Sequence, residues 1–208
     1  MNHAATYDAL MLDYAAGALP AASALVVETH LSLRPAATAH AAAAEALGGA
    51  MLEGAPPAPV ASRPALAGRG AEALPAPHLR AARGLIDAVR HDPNAVPWNA
   101  LLFGVRERAL PVPGLSLLRL TGGGALPRHG HTGDELTLVL HGRYEDESGA
   151  YAPGDIAFAD ETADHRPHVP RGEDCVCLIA RSGDMQFRGL LGFLVSIWPA
   201  SPETKSQA

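Results

Sequence analysis

Apolar residues recur at helical spacing along the first fifty positions. Tyr7, Leu10, Met11 and Tyr14 make one stripe, and Leu19, Ala22, Val26, His30 and Leu33 make a second, with Gly17 and Pro20 between them. This pattern predicts two short helices in a hairpin. Pro35 suits the first position of a third helix, where its missing N–H has no intrahelical partner. An alanine-rich run then continues to Leu47, and Gly48 and Gly49 should weaken or end the helix. From Ala55 to Pro77 proline, alanine and glycine predominate without periodicity, a composition unable to bury enough apolar surface to fold alone. A fourth helical pattern over 78–91 sets Leu79, Ala82, Leu85, Ile86 and Val89 on one side and stops at Asp92 and Pro93. That helix could serve either neighbour.

Beyond Val96 the period shortens. Segments rich in Val, Leu and Ile at 115–120, 135–140, 156–159, 174–180 and 192–198 are separated by Gly, Pro and Asp, which predicts an all-β sandwich or barrel. The expected fold class is therefore α+β. A small all-α domain spans 1–54, a Pro/Ala-rich linker with one helix spans 55–95, the β domain spans 96–200, and a disordered tail covers 201–208.

Composition narrows the classes of function. The 208 residues are 48% hydrophobic and 18% charged, enough for one large domain or two small ones. With no apolar run of membrane-spanning length and no basic leader before an apolar stretch, a cytoplasmic protein with no membrane segment is expected. A net charge of −6 disfavours direct nucleic-acid binding. Residues 1–54 hold one arginine, Arg34, against five carboxylates, a net −4 that would complement a basic protein partner.

Five of the ten histidines lie between 129 and 168. His129, His131 and Glu135 share parity, so on extended chain they project from one sheet face. Two imidazoles with one carboxylate suit a divalent transition metal. A later strand should supply a fourth ligand; His165 is the first choice, and His168, turned differently across Pro167, the second. His141 shares the parity but falls at an expected hairpin turn. Cys175 and Cys177 also share a strand face, either as small buried hydrophobes or as a redox-sensitive pair beside the metal.

Gly123, His129, His131, Glu135 and Gly142 match the first cupin motif at every spaced position, and Pro153, Gly154 and Asp155 followed by His165 resemble the second, with a longer gap before the histidine. That gap, the segments ELTLVL, GDIAFAD and DHRP, and the two cysteines resemble the ChrR family, anti-sigma factors with a C-terminal cupin. YDALMLDYAAGAL and LVVETHLSL resemble that family's anti-sigma domain. The resemblance implies a double-stranded β-helix (jelly-roll) barrel holding one divalent transition metal through His129, His131, Glu135 and His165. Zinc is the first choice, with manganese or iron behind it.

The resemblance also implies a partner, an extracytoplasmic-function (ECF) sigma factor, sequestered by the helices, with the cupin as sensory or stabilising module in the response to singlet oxygen or organic hydroperoxides. A homodimer through the cupin is compatible with it. In that family the helical domain holds its own zinc through an early histidine and a His-x3-Cys-x2-Cys motif. Here Arg34 and Ala37 stand at the two cysteine positions after His30, and His3 is displaced, so no zinc is expected there; His3, His30 and His40 are read as packing or solvent residues. The alternative is a metal-dependent cupin dioxygenase or isomerase beside a vestigial anti-sigma domain, with Asp134 and Glu161 as acid or base by proximity alone.

Overall fold

The computed structural model describes residues 3–56, 75–101 and 104–187. The expected strand at 192–198, the tail and residues 57–74 of the linker lie outside them. Helices α1 (His3–Ala15) and α2 (Ala21–Leu33) meet at a turn where Gly17 has φ +65°. Pro35–Ala37 is a single 3-10 turn rather than the first turn of an α-helix, and α3 follows as Thr38–Gly54.

Helix α3 therefore runs through Gly48 and Gly49, which do not end it. Each exposed glycine costs about 1 kcal/mol relative to alanine, too little to break a helix flanked by alanines. The helix stops where Pro56 forces the preceding Ala55 into extended conformation, at φ −77° and ψ 134°. Helix α4 (Ala76–His91) begins after Pro75 with Pro77 in its first turn.

Eleven strands follow among the described residues: β1 (Asn99–Ala100), β2 (Val105–Ala109), β3 (Leu115–Leu120), β4 (His129–His131), β5 (Glu135–His141), β6 (Tyr144–Asp146), β7 (Gly149–Tyr151), β8 (Ile156–Ala159), β9 (Asp164–His165), β10 (Cys175–Arg181) and β11 (Met185–Phe187). A six-stranded antiparallel sheet runs β1-β2-β3-β10-β5-β8, a smaller sheet runs β11-β4-β9, and β6-β7 is a hairpin. Strands 115–120 and 156–159 fall where the sequence predicts them, and β5 and β10 within a residue of it.

Strands β5 and β10 are buried on both faces. Cys175, Cys177, Ile179 and Val139 point into the barrel with Leu118, Leu120, Leu126, Tyr144 and Val169. Val176, Leu178, Ala180, Leu136, Leu138 and Leu140 point outward, into a cluster with Ala22, Leu25 and Val26 of α2 and Ala82, Ile86 and Val89 of α4. Period-2 alternation thus gives one sheet two cores. Arg83 of α4 pairs with Glu28 of α2 at 2.9 Å, and His141 donates from Nε2 to the Val89 carbonyl at 2.7 Å, fastening α4 to β5.

Gly142 closes β5 at φ +66°, where a Cβ would collide with the Asp174 carbonyl. Gly142→Ala combines that clash with the left-handed penalty of about 1–2 kcal/mol, so urea unfolding should register a loss of at least that size. Gly48→Ala, in open helical space, should instead gain up to about 1 kcal/mol.

Candidate metal centre

The strand parity that groups His129, His131 and Glu135 is realised differently from expectation. The chain bends at Thr132 and Gly133, so the histidines lie on β4 of the smaller sheet while Glu135 opens β5 of the larger one. The bend is held by the neighbouring turn: Thr132 N–H donates to the Asp184 carbonyl at 3.0 Å, and Asp134 N–H donates to Ser182 Oγ at 2.9 Å. His165 reaches the group because β9 pairs with β4, setting His165 opposite His129.

Nitrogens of His129, His131 and His165 all lie within 4.8 Å of one another. The Nε2 atoms of His131 and His165 are 3.1 Å apart, and those of His129 and His165 are 3.2 Å apart. His129 donates from Nδ1 to the Pro127 carbonyl at 2.9 Å, and His165 donates from Nδ1 to Asp146 Oδ2 at 3.0 Å. Both rings therefore aim Nε2 at a common point. Nitrogens converging at that distance need a proton or a metal cation among them, and a buried three-nitrogen cluster backed by hydrogen-bonded Nδ1 atoms fits a metal.

Electrostatics agree with the geometry. Burial lowers the His129 pKa to about 4, outweighing the Pro127 hydrogen bond, and burial lowers that of His131 against the pull of Glu135. Both stay neutral, ligand-ready imidazoles at neutral pH. Burial pushes Asp146 up, but hydrogen bonds from His165 and the Ser148 and Gly149 amides prevail and hold it low, a carboxylate orienting the imidazole behind it.

Glu135 stands on the flank of the three histidines. Its Oε1 accepts from Thr137 Oγ1 at 3.1 Å, while the buried Oε2 accepts no hydrogen bond and faces His131 Nδ1 at 3.8 Å and Arg181 Nε at 3.5 Å. A buried carboxylate oxygen that accepts no hydrogen bond among the described residues is a further feature that a metal ligand explains. His168 is on the surface, 3.6 Å from Glu145, and His141 is taken by α4.

The cysteine sulfurs lie 3.6 Å apart in a cavity of about 30 Å³ shared with His129, Glu135, His165 and Tyr144. The hydrogen bond that the Cys177 thiol makes with Cys175, and then burial, push it well above its ordinary pKa, so it is a thiol rather than a thiolate. Sequence reasoning missed Asp146 and Arg181. Asp146 reads as a turn residue before Ser148 and Gly149, and Arg181 as a charged strand end; only the fold brings them to the histidines.

In the helical region His30 is buried between modules. Its Nδ1–H donates to the Gly154 carbonyl at 2.7 Å, and its Nε2 accepts from the Tyr7 hydroxyl at 2.7 Å. The His40 ring meets Tyr7 edge-on, with centroids 5.5 Å apart. Arg34 pairs with Asp155 at 2.7 Å. The side chain of His3 lies outside the described residues.

An antiparallel barrel carrying histidines on paired short strands, behind a glycine-framed motif, defines a cupin. Residues 87–184 match the ChrR cupin-like domain. Over 206 residues the chain is 40% identical to the anti-sigma-E factor ChrR of Cereibacter sphaeroides, covering 90% of this chain and 93% of that one. The crystal structure of Rhodobacter sphaeroides SigE in complex with the anti-sigma ChrR matches with 40% identity and a TM-score of 0.65, covering 84% of this chain and 96% of that chain. An RmlC-like cupin from Ralstonia eutropha matches at 21% identity over 48% of this chain and 71% of its own, with a TM-score of 0.41. The chain belongs to the ChrR family of anti-sigma factors with a cupin domain.

Proposed function

We propose that this chain sequesters an ECF sigma factor through its N-terminal helices, and that its cupin holds one divalent transition metal through His129, His131, Glu135 and His165. Zinc is the first choice of metal. The observation that carries the partner reading is an uncovered apolar surface on α3, whose last two turns expose Leu47 (52%), Met51 (70%) and Leu52 (79%). Large apolar side chains gathered in the open mark a protein-binding surface. Asp8, Asp13, Glu45 and Glu53 on α1 and α3 supply the acidic surroundings that would steer a basic partner. The relative's crystallised partner, SigE, supports a sigma factor in that role. No described helix is long and apolar enough to cross a membrane, which is compatible with the cytoplasmic setting and stress-responsive role proposed here.

The enzyme alternative is weakened by space. The cavity beside the histidines, about 30 Å³, has room for one or two waters.

Co-purification tests the proposal. The chain, expressed with a sigma factor encoded beside it, should elute with that factor and carry about one transition metal per chain by elemental analysis. Elution alone would remove the sigma reading, and an absence of metal would remove the cupin-metal reading. Chelation should strip the metal yet leave the far-UV helical signal largely intact, because α2 is fixed by packing on β5 and β10 and the helical domain lacks thiolates to lose.

A further inference from the structure

The apolar packing of α2 on the barrel is non-directional and would hold the helix whatever the loops beside it do. A second, directional set of contacts joins the same helix to the turn at 152–155, between β7 and β8. The Gly154 carbonyl accepts from His30 Nδ1 at 2.7 Å, and Asp155 Oδ1 accepts from Arg34 Nη2 at 2.7 Å. Gly154 has φ +90°, and a Cβ there would lie 2.6 Å from Arg34 Nε, so the turn is shaped to let Arg34 lie across it.

That turn is tied to the histidine pocket. Asp146, which holds His165, also accepts from the Ser148 and Gly149 amides at 2.8 and 3.2 Å, fixing the β6-β7 hairpin. Tyr144 and Tyr151 stack across that hairpin with centroids 4.9 Å apart, and Tyr151 leads directly into the turn. The Asp155 side chain caps Ala152 N–H at 2.9 Å, while Gly154 N–H donates to the Val139 carbonyl at 2.9 Å on β5, the strand that starts at Glu135. On the helical side, His30 passes the connection to Tyr7 of α1, whose ring touches His40 of α3. Polar and ring contacts, joined by the main chain from Tyr151 into the turn, thus lead from His165 to all three N-terminal helices.

We propose that the 152–155 turn couples the cupin pocket to the helical module, with His30 and Arg34 as the grip and Asp146 as the link to His165. The inference rests on metal binding by the cupin and not on the identity of the helices' partner. Coupling is reciprocal: if metal binding orders the turn for the helix, breaking the grip must weaken metal binding by the same factor.

The experiment measures zinc affinity of the full chain by competition with a chromophoric chelator. His30→Phe with Arg34→Ala alters no residue of the pocket, yet should weaken zinc about five-fold, the lower end of usual couplings. Asp146→Ala should weaken it about 10–100-fold as an orienting partner is lost, and adding the double substitution to Asp146→Ala should cost nothing further. Zinc affinity unchanged in His30→Phe/Arg34→Ala while Asp146→Ala is weakened overturns the coupling and leaves the metal site standing. Failure of the unsubstituted chain to take up zinc overturns the metal reading and the coupling with it. Should the double variant fail to fold, Arg34→Met serves: hydrogen exchange across 144–151, which Arg34 does not touch, should quicken, and unchanged exchange there overturns the proposal.

Discussion

Leu47→Asp, Met51→Asp and Leu52→Asp introduced together are expected to abolish capture of the sigma factor, weakening it at least 100-fold. Buried apolar anchors at the centre of an interface commonly carry 2 kcal/mol or more each, and about 1.4 kcal/mol is a factor of ten. Three charges placed in such a contact would each be desolvated without a partner. The fold should survive, because all three side chains are more than half exposed; an unchanged circular dichroism spectrum is the control. Binding retained within a few-fold would move the docking surface away from α3. Changing Asp8 or Glu53 to the neutral amide should act differently, slowing association and flattening its salt dependence with a small effect on dissociation.

What could be read from the chain follows from where side chains are buried. Strands β5 and β10 stand out because helices cover one face and the barrel interior the other, which leaves an unbroken apolar run in the sequence. The two-residue strand β9 leaves no such trace, although it delivers His165 to the histidines. Gly48 and Gly49 do not stop α3, because helix propensity from the neighbouring alanines prevails. Parity placed His129, His131 and Glu135 together on the assumption of one extended strand; the bend at Thr132 and Gly133 divides them between two sheets and turns Glu135 toward Arg181 as well as His131. Arg34 shows the limit of reading a motif by its losses. A cysteine position filled by arginine signals a missing thiolate, but only the fold reveals the guanidinium spanning to Asp155 in the other module.

The largest effect at the pocket should come from the histidines themselves. His129→Ala, His131→Ala and His165→Ala each remove one of three nitrogens that converge within 4.8 Å, so zinc affinity should fall by more than the roughly 10–100-fold attributable to an outer partner. Glu135→Ala should fall short of that loss. Its carboxylate stands outside the three-nitrogen cluster and is shared with Arg181 at 3.5 Å, so part of its charge is already compensated. Once Glu135 is gone Arg181 still pairs with Glu107 at 3.4 Å, which limits how far its charge can turn toward the metal. Equilibrium titration of the four variants separates the outcomes. A Glu135→Ala loss equal to the histidines' would mean that the carboxylate holds the metal as strongly as each imidazole does, whereas metal retained when all four are alanine would remove the site altogether.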